Sequence, residues 1–284
     1  MIIKSYSSAI VLSFIMLSIP LFAFAGQKNN PESKFLIGLK GGLNLSQQII
    51  LEQFQVFSNL SEDDAGAKEY NTIWKNLGIQ YGFVGLYRLH KKLNLIIEPT
   101  FSNYKYGYKS ITEWQDNSGT ILTSSQNHTQ NLHYFELPII IQYFFDQRPV
   151  KPYFLIGGYY GYLLGAEKVI NIDEYISING QRFKTASEHQ HVYFNDQYIK
   201  SRFAGIAGTG AIYDLTAMQL MFGVSYHFSL NNISRENARF SNQLITGSAY
   251  DINDNIRLNT IEFNLRILFP INKPSSLFKS LKCK

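Results

Sequence analysis

The chain has 284 residues, a formal net charge of +5, and 45% hydrophobic against 17% charged residues, which excludes a disordered acidic tail and a collagen-like repeat. Its 26 Lys and Arg are scattered rather than clustered, so no nucleic-acid footprint is built. The single cysteine, Cys283, excludes an intrachain disulfide framework and a Cys-rich zinc site. The outlier is the aromatic content: 21 Phe, 19 Tyr and 2 Trp favour strands and membrane interfaces.

Residues 1–25 read as a secretory signal peptide. Lys4 supplies the positive start, 10–19 is a short apolar run, Pro20 breaks it, and Ala23-Phe24-Ala25 is a cleavage site before Gly26. The apolar run is too short for a transmembrane anchor. No Cys follows the cleavage site, which argues against a lipoprotein, and no later apolar run of 18 residues predicts a transmembrane helix. Residues 26–34 form an N-terminal segment, 35–270 the main domain and 271–284 a basic periplasmic tail with Lys273, Lys279, Lys282 and Lys284.

Periodicity then decides the fold. In 258–269, Ile261, Phe263, Leu265, Ile267 and Phe269 share one face while Thr260, Glu262, Asn264 and Arg266 share the other, which is alternation at period two. The same holds in 35–46, where Ile37, Leu39, Leu43 and Leu45 oppose Lys40, Asn44 and Ser46. Further strands are predicted at 77–89, 93–106, 133–145, 152–165, 200–213 and 217–229; the Gly- and Ala-rich segments 152–165 and 200–213 leave their faces ambiguous. Short turns at 90–92, 146–151 and 214–216 alternate with long polar loops at 47–76, 107–132, 166–199 and 230–257. An even count with that alternation predicts an all-β, eight-stranded antiparallel up-and-down transmembrane barrel of the bacterial outer membrane. A soluble β-sandwich is the rival. The export signal and mid-strand charges opposite the apolar stripe argue against it. So do aromatic clusters that suit membrane interfaces: Tyr104, Tyr106 and Tyr108, then Tyr143, Phe144 and Phe145, and finally Phe269.

Lys40, Arg88, Glu98, Glu136, Glu262 and Arg266 all fall on the face opposite the apolar stripe. Inside so narrow a barrel these six must pair, which favours a structural salt-bridge plug over a proton or ion path. The glycines 157, 161 and 165, and 205, 208 and 210, read as room for sheet curvature and for flat Tyr rings, not as helix-dimer or nucleotide motifs. His128, His189 and His191 fall in loops and do not make a metal set, and no cofactor site is read. His227-Phe228-Ser229 is similar to the H-x-S-N motif of outer-membrane lipid A deacylases, but Leu230 stands where that motif has Asn and both side chains point inward.

Three local signatures carry a resemblance: 39–46 (LKGGLNLS), 134–141 (YFELPIII) followed by Phe144-Phe145, and 151–158 (KPYFLIGG). With the alternating strands they resemble the PorT-like outer membrane β-barrel family of Gram-negative bacteria over about 35–270. That resemblance implies a barrel without a catalytic motif, and its namesake supports type IX protein secretion. The expectation is a non-enzymatic, monomeric barrel with a filled lumen that acts through four external loops, in contact with outer-membrane lipid and lipopolysaccharide and with envelope or secretion proteins. The alternatives are a secretion component and a lipid A-modifying hydrolase.

Overall fold

A computed structural model describes residues 33–54, 68–145, 149–215, 217–240 and 251–271. The signal peptide, the acidic residues Glu62, Asp63 and Asp64, and the basic tail with Cys283 lie outside the described residues. Eleven strands form one antiparallel sheet. They are β1 (Phe35–Glu52), β2 (Glu69–Tyr70), β3 (Leu77–His90), β4 (Leu93–Ile97), β5 (Thr100–Gln115), β6 (Ile121–Phe144), β7 (Val150–Ile178), β8 (Gln181–Tyr193), β9 (Ser201–Asp214), β10 (Gln219–Ser229) and β11 (Asn255–Pro270).

Eight walls close into a ring. β1 pairs with β3 and with β11, β11 with β10, β10 with β9, β9 with β7, β7 with β6, β6 with both β4 and β5, and these two with β3. β4 and β5 are one wall: Ile97 opposes Ile139 and Thr100 opposes Glu136 in unbroken register. Pro99 lacks the N–H that a ladder needs, which is why the strand is interrupted there. The carbonyl of Pro99 still accepts from Phe83 N at 3.0 Å, so the wall stays sealed.

The outer face explains the membrane. Along β3, Leu77, Ile79, Tyr81 and Phe83 are exposed while Gly78, Gln80, Gly82 and Val84 are buried. β6 presents Leu137, Ile139, Ile141 and Tyr143 outward, and β10 presents Phe222, Val224, Tyr226 and Phe228. The ten steps from Leu77 to Tyr87, at about 3.3 Å each and tilted by about 40°, rise about 25 Å, the height of an outer-membrane apolar band.

Two of the expected loops are strands. Residues 107–132 continue β5 and β6 to a tight turn, and 166–199 continue β7 into β8. Above Phe101 and Phe135 the outward residues turn polar, as in Asn103, Lys105, Asn127, Thr129 and Asn131, so this part of the sheet stands in water above the lipid. Polar alternation reads as loop when one face is expected to be apolar, and that is why the sequence pattern missed it. Asp116 closes the β5–β6 turn by accepting from Ser118 N at 2.9 Å and Thr120 N at 2.8 Å, with Gly119 at φ 83°. Asn179 and Gly180, at φ 51° and 79°, close the β7–β8 turn, the pattern of a type I′ hairpin.

The tyrosines 104, 106 and 108 also need correction. They are at most 2% exposed and point into the barrel, not toward the membrane interface. They continue the inward face begun by Glu98, Thr100 and Ser102. Phe269 is also buried, while Tyr143 and Phe145 are exposed at the short-turn end, the end that faces the periplasm in outer-membrane barrels.

Candidate functional site

Among the described residues buried charge gathers in the lumen, which is built in layers. At the periplasmic end Leu36, Leu86, Ile96, Ile140, Met221 and Leu268 pack with Tyr153 into an apolar floor. Tyr153 has room because Gly210 and Gly223 face it; a Cβ at either would collide with its ring or hydroxyl.

Above the floor lies the first charged layer. Arg266 grips Glu98 with two nitrogens, Nε to Oε1 at 2.5 Å and Nη2 to Oε2 at 3.2 Å. Lys40 bridges Glu98 Oε2 at 3.1 Å and Glu262 Oε1 at 2.8 Å. His227 Nε2 sits 3.2 Å from Glu262 Oε2, and Asn264 Nδ2 donates to Glu262 Oε1 at 2.7 Å. The register explains the meeting: Lys40 opposes Arg266 across β1 and β11, and Ser225 opposes Glu262 across β10 and β11.

The second layer is one carboxylate and one guanidinium. Glu136 accepts from Ser102 Oγ at 2.8 Å and Tyr104 OH at 2.9 Å, and lies 3.6 Å from Arg202 Nη1. Arg202 donates from Nη2 to the Leu258 carbonyl at 2.6 Å, and its guanidinium carbon stands 4.4 Å from the Tyr104 ring centroid, with Tyr134 and Tyr159 also within 6 Å. A cation among three aromatic faces is held by their quadrupoles as well as by the ion pair.

A third layer caps the external end. Asp251 meets Lys168 and, at 3.3 Å, Lys68; Asp254 meets Lys68 at 3.0 Å and accepts from Tyr70 OH at 2.5 Å. His128 Nδ1 lies 3.8 Å from Asp251 Oδ2, and its ring stacks on Tyr108 at 4.6 Å. The two lysines hold the Asp251 carboxyl well below the usual carboxylate range despite its burial. Burial pushes His128 down to about 3, so its ring is neutral.

Five of the six charges singled out from the alternation are therefore buried in the lumen, Lys40, Glu98, Glu262 and Arg266 in one layer and Glu136 in the next. Arg88 is not with them. It is half-buried near the periplasmic end, where Asp214 is its electrostatic neighbour and Lys151 holds Asp214 at 2.8 Å. Five charged participants escaped the sequence reading: Arg202, Lys168, Lys68, Asp251 and Asp254. Arg202 lay in a strand whose face was ambiguous, although its even-numbered companions Ala204, Ile206 and Ile212 are the apolar residues buried beside it. Lys168 was hidden by a bulge: Tyr134 opposes Leu163 but His133 opposes Gly165, so Leu164 is extra and the inward parity of β7 changes from odd to even. Lys68 and Asp251 come from loops 183 residues apart, and no local pattern joins them.

His227 and Ser229 do not form a nucleophile–base pair. His227 Nε2 contacts Ser225 Oγ at 3.0 Å and Glu262, while Ser229 Oγ donates to the Asn231 carbonyl at 3.3 Å. His189 and His191 line the outer face of β8, where His189 meets Asn171 at 2.6 Å and His191 meets Glu167 at 3.4 Å. No group of three or more metal-ligating side chains occurs among the described residues.

The fold and the layered lumen can be set beside known proteins. No curated protein sequence matches the chain. Among solved structures it is similar to Neisserial surface protein A, with 13% identity, 84% of this chain and 98% of that one covered, and a TM-score of 0.34. It is also similar to Ail, the attachment invasion locus protein of Yersinia pestis, with 10% identity, coverage of 83% and 99%, and a TM-score of 0.29. The N-terminal β-barrel domain of Pseudomonas aeruginosa OprF gives 13% identity, coverage of 84% and 98%, and a TM-score of 0.27. A family model described as outer membrane protein beta-barrel domain matches residues 24–235, most of the chain. The chain belongs to the outer membrane protein beta-barrel domain family, and its place is the bacterial outer membrane.

Proposed function

We propose that the protein is a closed, non-conducting and non-enzymatic barrel that serves as an interaction scaffold, its β5–β6 and β7–β8 hairpins carrying the contact surface outside the cell. The observation that supports this is the neutrality of each lumen layer. Lys40 and Arg266 balance Glu98 and Glu262; Arg202 balances Glu136; Lys68 and Lys168 balance Asp251 and Asp254. Charges matched in this way balance within each layer, and an eight-stranded interior is only wide enough for side chains to fill. The chain works as a monomer, without cofactor and without nucleic acid, against lipid, lipopolysaccharide and envelope proteins. Reconstitution into planar bilayers tests the plug: no stepwise current is expected, and steady single-channel openings of the unaltered protein would overturn it. Ser229→Ala, read out by the mass of lipid A from cells, is expected to change nothing; an altered acylation pattern would restore the hydrolase.

A second reading is a component of protein secretion, favoured by the three signatures resembling the PorT-like family, which lie in the walls β1, β6 and β7. Deleting the gene and comparing periplasmic with secreted proteins by mass spectrometry separates the two. Unprocessed cargo in the periplasm supports the secretion role, and unchanged secretion leaves the scaffold.

A further inference from the structure

Ion pairs do not account for the middle of the lumen. Around the Glu136–Arg202 pair and below it, six inward side chains carry a polar atom that nothing among the described residues satisfies: Ser46 Oγ, Gln80 Nε2, Tyr134 OH, Arg202 Nε, His227 Nδ1 and Thr260 Oγ1. None of these residues is more than 3% exposed. They come from six different walls, β1, β3, β6, β9, β10 and β11.

Register and contacts bring them to one stretch of the axis. Ser46 opposes Thr260 across β1 and β11, and Thr260 opposes His227 across β11 and β10. The His227 ring stands 5.5 Å from that of Tyr159. Tyr159 and Tyr134 flank the Arg202 guanidinium at 5.5 and 5.6 Å. Arg202 in turn reaches β11 through the Leu258 carbonyl, two residues from Thr260. Gln80 enters from β3 over Gly42, where an added Cβ would lie 3.0 Å from its Nε2. Ring closure fixes the walls, so these atoms cannot move to meet one another.

A polar atom without a partner in a low-dielectric interior is costly, and folded proteins meet such groups with buried water. The donor and acceptor set itself selects the ligand. Gln80 Nε2 and Arg202 Nε only donate, the three hydroxyls donate or accept, and His227 Nδ1 takes either role with its tautomer. A small neutral molecule that both donates and accepts fits them all. An ion does not, because Glu136 already balances Arg202 and a further charge would be uncompensated in a buried site.

We infer that the mid-lumen is a binding site for an enclosed cluster of water molecules, held by these six groups, and that the apolar floor separates this water from the periplasm. Above the cluster, Leu132, Ile256 and Leu258 pack with Tyr106 and Tyr198; below it lies the floor around Tyr153. The barrel is wet in the middle and dry at its ends, so its closure depends on the dry ends as well as on the paired charges. The inference deepens the closed-barrel reading and rests on it.

Radiolytic footprinting of the full-length protein in lipid nanodiscs is the test. A short X-ray pulse turns water into hydroxyl radicals, which label side chains that touch water, internal or bulk. Tyr134 and His227 are expected to take up at least about tenfold more oxygen than Tyr153, the likewise buried tyrosine of the floor. Mixing into heavy-oxygen water before the pulse then times exchange. Tyr193, 67% exposed on β8, is expected to carry heavy oxygen at the first mixing time, and Tyr134 only at later ones. Tyr153→Ala opens the floor and should bring exchange at Tyr134 close to that at Tyr193. Heat-modifiable migration shows that this variant is folded, and Leu268→Ala replaces it if it is not. Label at Tyr134 and His227 no higher than at Tyr153 would overturn the water site and leave the closed barrel standing. Immediate exchange at Tyr134 in the unaltered protein would overturn the enclosure, and unchanged exchange in the floor variant would overturn the floor as the barrier. A bilayer current is the separate result that overturns the closed barrel itself.

Discussion

Glu98 and Arg266 sit on walls that the sequence separates by 168 residues, yet they form a two-point contact with neither side chain more than 1% exposed. Removing one partner of such a pair strands the other charge in a medium that cannot solvate it. Glu98→Ala is therefore expected to cost about 3–5 kcal/mol of folding stability, measured by urea unfolding in detergent or lipid. Replacing Glu98 and Arg266 together by apolar residues of similar volume should cost much less. If the single and double variants lose the same stability, the pair is not acting as a pair. His128 gives a pH dependence at the same scale. Its folded value is about 3 against an ordinary value near 6.5, so below that ordinary value the unfolded chain takes up a proton that the folded one refuses. The stability it contributes is full above about pH 6.5 and is lost progressively as pH falls toward 3. Asp251, also depressed, loses its contribution only at lower pH, below about 3.9. Denaturant midpoints between pH 7 and 4.5 should fall, and His128→Gln should flatten that fall; an unchanged slope would refute the assignment.

The hairpins show how an element outlives its membrane-spanning part. β7 runs for 29 residues, against about 9–11 for a crossing, because its pairing with β6 continues beyond the lipid from Ala166 opposite Leu132 to Ser177 opposite Ile121. What changes at the membrane surface is the outward side chain, not the backbone. The β8 end of this element depends on its turn. Asn179 and Gly180 hold positive φ, and a β-branched residue at Gly180 would be forced into the left-handed region at about 1–2 kcal/mol. Gly180→Val is expected to speed proteolysis of the 166–193 hairpin in intact cells without altering the heat-modifiable form of the barrel. Loss of the folded form would mean that the hairpin helps to close the ring. Ion pairs on the outer face of β8 add little, since Asp173 and Lys184 are held at 2.7 Å in water.

As a whole molecule, the barrel is a ring of local antiparallel neighbours closed by one distant pairing, β1 with β11, from Leu36 opposite Pro270 to Glu52 opposite Asn255. The water-exposed upper sheet is attached to that ring but does not complete it. Replacing residues 170–190 by an Asn-Gly turn is therefore expected to leave a protein that still inserts and still shows heat-modifiable migration, because every wall retains its full membrane-spanning length. Failure to fold would place part of the ring's stability above the membrane. The capping layer should respond differently. Asp251→Asn leaves Lys168 and Lys68 facing one another with half their compensation, and the external loops should become accessible to protease while the walls remain protected.

The sequence alone determined the all-β class, the eight walls and the inward set Lys40, Glu98, Glu136, Glu262 and Arg266, because a strand in a membrane must present alternate residues to lipid, and a charge facing the middle of the bilayer is costly. That one constraint makes the faces readable wherever the stripe is apolar. It fails where the physical asymmetry disappears. Above the membrane the outward face turns polar, so the stretches 107–132 and 166–199, which extend β5, β6 and β7 and form β8, read as loops. At Leu164 a single extra residue reverses the parity and conceals Lys168. Only the tertiary structure decided which charges are partners, since Glu136 leaves the other carboxylates for Arg202, Arg88 stays at the periplasmic end, and Lys68 meets Asp251. Ring closure sets those distances through strand register and tilt, and neither is a property of any one segment of chain.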